Sequence, residues 1–156
     1  MIRKLILVVV TLLFVNIAQA NIKQVLDNSP TGYWQTIDDV TGKPQAIVQI
    51  WETSSKILQG RIIKLLNKED EKKLCQACNG DKHNQPILGM LILDKLKFDT
   101  SNKWDQGNIL DPDNGKIYRC TVRLSDNGQK LNVHGYIGFP LFGRSQIWLR
   151  VNPDID

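Results

Sequence analysis

From residue 30 onward, apolar and polar residues alternate in short runs, and no stretch keeps a helical period for three turns. These runs predict strands over Gly32–Thr36, Gln45–Trp51, Lys56–Leu66, Gly89–Phe98, Ile117–Leu124, Lys130–Ile137 and Ser145–Val151, with a further short strand near Trp104–Leu110. Turn residues fall between them: Thr41-Gly42-Lys43-Pro44, then Asp111-Pro112-Asp113-Asn114-Gly115, then Ser125-Asp126-Asn127-Gly128. Asn-Gly favours tight hairpins because its residues tolerate positive φ. Consecutive hairpins make an antiparallel meander, and about eight such strands hide their edges by closing on themselves. The expected fold is all-β, a single up-and-down antiparallel barrel, with a sandwich as the alternative. The pattern also admits a short N-terminal helix over residues 22–29, with Ile22, Val25 and Leu26 on one side. Residues 67–86 are the long irregular segment, and loops of that length in compact domains commonly carry function.

The first twenty residues follow a different rule. Arg3 and Lys4 precede an apolar run, Leu5 to Val15, interrupted only by Thr11, and Ala18-Gln19-Ala20 follows. A basic start, an apolar stretch and a small-x-small site describe a cleavable export signal, cut between Ala20 and Asn21. The run is short of the roughly 20 residues that span a bilayer, so the mature protein is expected not to span a membrane. The expected organisation is a leader over residues 1–20 and one domain over residues 21–156, working in the periplasm or as a secreted protein. The chain holds 20 basic and 16 acidic residues, and Arg3 and Lys4 leave with the leader. With no Lys/Arg cluster interleaved with aromatics, nucleic acid is not an expected partner.

Cys75-Gln76-Ala77-Cys78 has two-residue spacing, and Cys120 stands alone on a predicted strand. In an exported protein the pair is expected to form a disulfide, whose small loop removes little unfolded-state entropy. Haem attachment is excluded because Asn79, not His, follows Cys78. Thiol redox chemistry through Cys75 and Cys78 is an alternative, although the pair lies in a loop rather than at a helix start. Zinc would have to recruit Cys75, Cys78 and His83 without a second paired motif, and no metal site is expected. His134 shares a strand face with Asn132 and Tyr136 and is expected to point to solvent. Asp38-Asp39 and Asp111/Asp113 read as turn carboxylates. No catalytic constellation and no cofactor motif emerges.

The last predicted strand, Gly143-Arg144-Ser145-Gln146-Ile147-Trp148-Leu149-Arg150, puts Arg144, Gln146, Trp148 and Arg150 on one face and Ile147, Leu149 and Val151 on the other. Gly32-Tyr33-Trp34 on the first strand, with an arginine late on the last, resembles the lipocalin and fatty-acid-binding (calycin) barrels. That resemblance implies that Arg150 packs across Trp34 and closes one end of the barrel, with cation–π attraction as the physical reason. Over nearly all of the mature chain the sequence also resembles the bacterial exported family known as domain of unknown function 2147. The matching stretches are Gly32 to Asp39, Thr41 to Pro44, Cys75-x-x-Cys78, Asn84 to Gly89, Gly107 to Tyr118 and Gly143 to Arg150. Asn108 departs from a glycine common in that family, which bears on the local turn or bulge. The resemblance implies a secreted calycin-like barrel and lends no reaction.

The leading functional expectation is a barrel that binds a small apolar or amphiphilic ligand, with Arg144, Gln146 and Trp148 as candidate binding residues if their face points inward. The alternative is a barrel filled with side chains, acting as an envelope interaction or stress protein through its exterior. In that reading Ile137 to Phe142 is an apolar contact loop; the simpler reading is a lid over the barrel end.

Overall fold

The computed structural model describes residues 28–38 and 41–152. The predicted leader, the cleavage position between Ala20 and Asn21, and residues 22–27 of the suggested helix lie outside the described residues, as does Asp39. Eight strands run in chain order: β1 (Gly32–Ile37), β2 (Pro44–Glu52), β3 (Ile57–Leu65), β4 (Leu91–Thr100), β5 (Lys103–Asp111), β6 (Lys116–Ser125), β7 (Lys130–Tyr136) and β8 (Gly143–Val151). Each pairs antiparallel with its neighbour, and β8 returns to β1 with Trp34 opposite Arg150. The fold is a closed up-and-down barrel, not a sandwich. The strand expected near Trp104–Leu110 is a full member of the wall. β4 begins two residues later than the pattern predicts, because Met90 N–H bonds back to Ile87 O in a turn.

Period two explains most of the core. In β1 Trp34 and Thr36 are buried between less buried neighbours, and in β6 Cys120, Val122 and Leu124 are. The period breaks where the wall must curve. Lys95 and Gln106 take positive φ, 63° and 62°. At Gln106 the β5–β6 register skips from Trp104 opposite Val122 to Gly107 opposite Cys120. Such bulges re-aim side chains and bend a strand, so Leu93 and Leu96, three apart, both point into the core. Asn108 itself stays in regular register, opposite Asp94 and Arg119. The irregularity lies two residues earlier, where Asp105 Oδ1 accepts from Gln106 N–H at 2.6 Å.

The two ends of the barrel differ. Short turns join β2 to β3, β4 to β5 and β6 to β7 at one end, beneath a solid layer that includes Trp34, Leu58, Leu96, Val122, Leu131 and Trp148. At the other end lie the longer β1–β2, β3–β4 and β7–β8 connections and the β5–β6 turn.

Candidate ligand-binding site

The closed end is held by one side chain. The Arg150 guanidinium lies 4.3 Å above the Trp34 ring centre. Its Nε donates to Gly128 O at 2.6 Å, Nη1 to Thr31 O at 2.9 Å and Nη2 to Ser29 O at 2.6 Å. Trp34 Nε1 donates to Pro30 O at 2.8 Å. Arg150 therefore ties the segment before β1 and the β6–β7 turn to the indole face. The Gly-x-Trp pattern has a steric cause here. Gly32 has φ of +126°, and a Cβ on it would sit 2.9 Å from Arg150 Nη1.

Above that layer the interior opens into a cavity of about 650 Å³ that reaches the opposite end. Its walls are apolar below, with Val48, Ile62, Ile92 and Val133, and Trp148 forms part of its lining. The β8 face that alternation assigns to Arg144, Gln146 and Trp148 points inward, and all three side chains line the cavity. The opposite face is the outer one, since Ile147 and Leu149 are 42% and 37% exposed. Trp148 Nε1 donates to Gln146 Oε1 at 3.0 Å, which fixes the amide with its oxygen spent on the indole. The upper interior is thus partly empty, while the lower interior is filled.

The rim is polar and mostly acidic. Asp38, Asp70, Asp111 and Asp113 lie around the mouth, against Lys73 and Arg144. Turn chemistry accounts for two of these carboxylates, Asp38 and Asp111, whereas that of Asp113 bonds Lys73 and Gln45. Asp38 Oδ1 accepts from Thr41 N–H and Oγ1, and Asp111 accepts from Asp113 N–H and the Asn114 side chain. The pattern missed that the chain's reversals bring them to one opening. Lys73 bonds Asp113 at 2.8 Å, and this bond holds the lysine pKa above its ordinary value. Tyr118, also in the lining, accepts from Asn114 Nδ2 at 3.0 Å.

The β3–β4 loop is pinned beside the mouth. Cys75 and Cys78 form a disulfide, and both sulfurs are buried. Cys75 Sγ packs 3.2 Å from Pro112 O; a disulfide sulfur carries no proton, so this is a contact rather than a donated bond. Gly115, with φ of +69°, lies so close that a Cβ there would meet Ala77 O at 1.9 Å. His83 Nδ1 is bonded to Cys78 O at 3.0 Å. The three residues considered for zinc therefore have their donors engaged within the loop. Cys120 is a buried free thiol in the barrel wall, and burial pushes its pKa up to about 12.

The β7–β8 loop stands at the rim instead of covering the opening as a lid. Ile137, Phe139, Leu141 and Phe142 are 61%, 76%, 87% and 76% exposed, while Ile137 and Phe142 also border the cavity. His134 lies on the outer face as alternation predicts, but it is bonded through both ring nitrogens. Nε2 reaches Pro140 O and Nδ1 reaches Ser145 Oγ, each at 2.8 Å. A carbonyl only accepts, so Nε2 donates, and in the neutral ring the Ser145 hydroxyl donates to Nδ1. This spends the imidazole on anchoring the loop, a role invisible to a period-two reading.

The same fold is seen in a solved structure described as protein HP1028 from the human pathogen Helicobacter pylori, which belongs to the lipocalin family. It is 20% identical, superposes with a TM-score of 0.70, and the match covers 81% of this chain and 85% of that one. At that identity the likeness concerns the fold. No curated protein matches the chain. The family described as "Uncharacterized protein conserved in bacteria (DUF2147)" matches residues 32–150, from the Gly-x-Trp strand to the closing arginine, and the chain belongs to it.

Proposed function

We propose that the protein is exported and that residues 21–156 act as one barrel domain holding a small apolar or amphiphilic molecule. The carrying observation is the cavity: about 650 Å³, apolar at depth, polar at its mouth and open at one end. Small-molecule sites commonly measure roughly 300–1,000 Å³ with this division of lining. An apolar tail would occupy the space above Trp148, and Arg144 and Gln146, which line the cavity nearer its mouth, would orient a polar head. The leader pattern of residues 1–20 and the Cys75–Cys78 disulfide support a periplasmic or secreted site of action. Among the described residues no helix is long and apolar enough to cross a membrane. The lipocalin-like barrel of HP1028 is consistent with such binding. Thiol exchange is disfavoured because both cysteines of the disulfide are buried.

The test is a titration of the mature protein with a fluorescent fatty-acid analogue, alongside native mass spectrometry of freshly purified material. Saturable one-to-one binding is expected, lost when Ala46, which lines the cavity, is replaced by phenylalanine. A folded protein that binds neither the analogue nor any co-purifying molecule would refute the reading.

A further inference from the structure

Alternation turns Tyr118 inward, since it shares its β6 face with the buried Cys120 and Val122, and it lines the cavity. Its hydroxyl oxygen accepts from Asn114 Nδ2 at 3.0 Å, and the same nitrogen donates to Asp111 Oδ2 at 2.8 Å. The ring is thereby held against the β5–β6 turn, and among the described residues nothing accepts the hydroxyl proton. A phenol hydroxyl both accepts and donates, so this one stands at the mouth as a donor. Gly135 on the neighbouring β7 gives it room. A Cβ there would lie 3.5 Å from Tyr118 Cβ and 3.4 Å from Ile109 Cγ2, so the glycine keeps a notch open in the cavity wall. Arg144 stands opposite Gly135 in the β7–β8 register, on the other side of that notch.

The charge around the opening decides what kind of head can rest there. The lining carries Asp38, Asp70, Asp111 and Asp113 against Lys73 and Arg144. Lys73 is paired with Asp113, and Arg144 has a partner of its own within the chain. The sum is negative, so an anionic head would meet net repulsion at the mouth. A neutral hydroxyl or carbonyl head meets none, and it can accept the proton that Tyr118 offers. The tail has a limited depth. Trp148 and Arg144 lie on β8 about 13 Å apart along the strand, at about 3.3 Å per residue. The distance along the barrel axis is shorter, because barrel strands tilt by roughly 35–45°. One leaflet of a bilayer core takes up about 15 Å, so the space suits a chain of medium length rather than a membrane acyl chain.

We propose that Tyr118 and the notch at Gly135 select a medium-chain amphiphile with an uncharged hydroxyl or carbonyl head, and that the carboxylates of the mouth reject its carboxylate counterpart. This names the ligand class of the cavity and rests on the ligand reading above. Tyr118 is the residue that sets the head, and the acids around it set the head's charge.

The experiment is displacement of the fluorescent fatty-acid analogue from the mature protein by decanol, decanoate and decylamine, which share a tail and differ in the head. The analogue serves as reporter. At mildly alkaline pH decanol is expected to displace it at a concentration at least roughly tenfold lower than decanoate, and added salt should narrow that gap. Tyr118→Phe is expected to weaken decanol by roughly threefold to tenfold and to change decanoate by less than about twofold. Gly135→Ala, whose Cβ meets its neighbours only at contact distance, should weaken decanol as well, with circular dichroism showing the barrel intact. Asp113→Asn removes one charge from the mouth and should narrow the gap between decanol and decanoate by about threefold. Decanoate that displaces as well as decanol overturns the inference while the cavity reading stands. So does decylamine that outcompetes decanol tenfold, or decanol binding that Tyr118→Phe leaves unchanged. If neither the analogue nor decanol binds, by titration and by native mass spectrometry, the cavity reading falls first and this inference with it.

Discussion

Replacing Arg150 with leucine tests how the closed end is held. The substitution keeps much of the aliphatic stem and removes three charge-assisted hydrogen bonds, to Ser29 O, Thr31 O and Gly128 O, together with the stacking on Trp34. A hydrogen bond to a charged group contributes about 1.5–3 kcal/mol, and a cation–π pair about 0.5–2 kcal/mol. Simple addition overshoots. The four contacts share one side chain and are not independent, and the carbonyls are only part-buried, so water replaces some of what is lost. The expected cost is about 3–5 kcal/mol, or a fall in melting temperature on the order of 10 °C or more for a domain of this size. Stability of small domains is typically about 5–15 kcal/mol, so the variant should still fold.

Urea unfolding followed by tryptophan emission measures the effect, since Trp34 loses its guanidinium partner in the variant. The midpoint should fall at unchanged m-value, which separates lost stability from a changed denatured state. Arg150→Lys should recover only part of the loss, because one ammonium cannot bond three carbonyls on two separate segments. Gly32→Ala supplies the control. Its Cβ would press on Arg150 Nη1 at 2.9 Å, so its cost should shrink in the Arg150→Leu background, leaving the strain of φ +126°. A loss below about 1 kcal/mol for Arg150→Leu, or full additivity with Gly32→Ala, would refute the picture of one side chain clamping the end.

Three further outcomes follow from the same geometry. Cys120 should resist thiol reagents in the folded protein at mild alkaline pH and react once unfolded; because folding raises its pKa from the ordinary 9.0 to about 12, its contribution is complete below pH 9 and stability should decline as pH climbs from 9 toward 12. Serine at both Cys75 and Cys78 should lower stability by only about 2 kcal/mol in urea unfolding, since the disulfide closes a very short loop, and limited proteolysis should then cut within residues 67–86. Gly115→Ala should cost more than about 2 kcal/mol by thermal unfolding, because its Cβ would overlap Ala77 O and its φ is +69°; a neutral result would mean that the disulfide loop is not seated on the β5–β6 turn.

Much of this architecture is legible in alternation alone, and the exceptions have physical causes. The wall, its order and the inward face of β8 follow from period two, because one face of each strand must be dry. The bulge at Gln106 escapes that reading, as it depends on Asp105 bonding the next N–H rather than on hydrophobicity. The rim is legible only in pieces. Asp38, Asp111 and Asp113 look like turn residues one at a time, and only closure of the barrel brings their turns to one mouth. The outward direction of His134 follows from alternation, but its bonding does not: its partner Pro140 lies in a loop whose path no periodicity describes. The Trp34–Arg150 contact spans nearly the whole described chain and is suggested by family resemblance, not by spacing.

The cavity itself has a signature in side-chain size. Along β1 the inward residues run from Trp34 to Thr36 toward the mouth, and along β2, read in the same direction, from Ile50 through Val48 to Ala46. On β7 they run from Leu131 through Val133 to Gly135, and on β8 from Trp148 to Gln146 and Arg144. On all four neighbouring strands the interior position shrinks or turns polar as it nears the opening. A barrel selected for packing alone would keep large branched residues there, because unfilled interior costs stability. On these four strands the taper leaves the interior unfilled, and it confines the space to the half of the barrel that Arg150 does not brace.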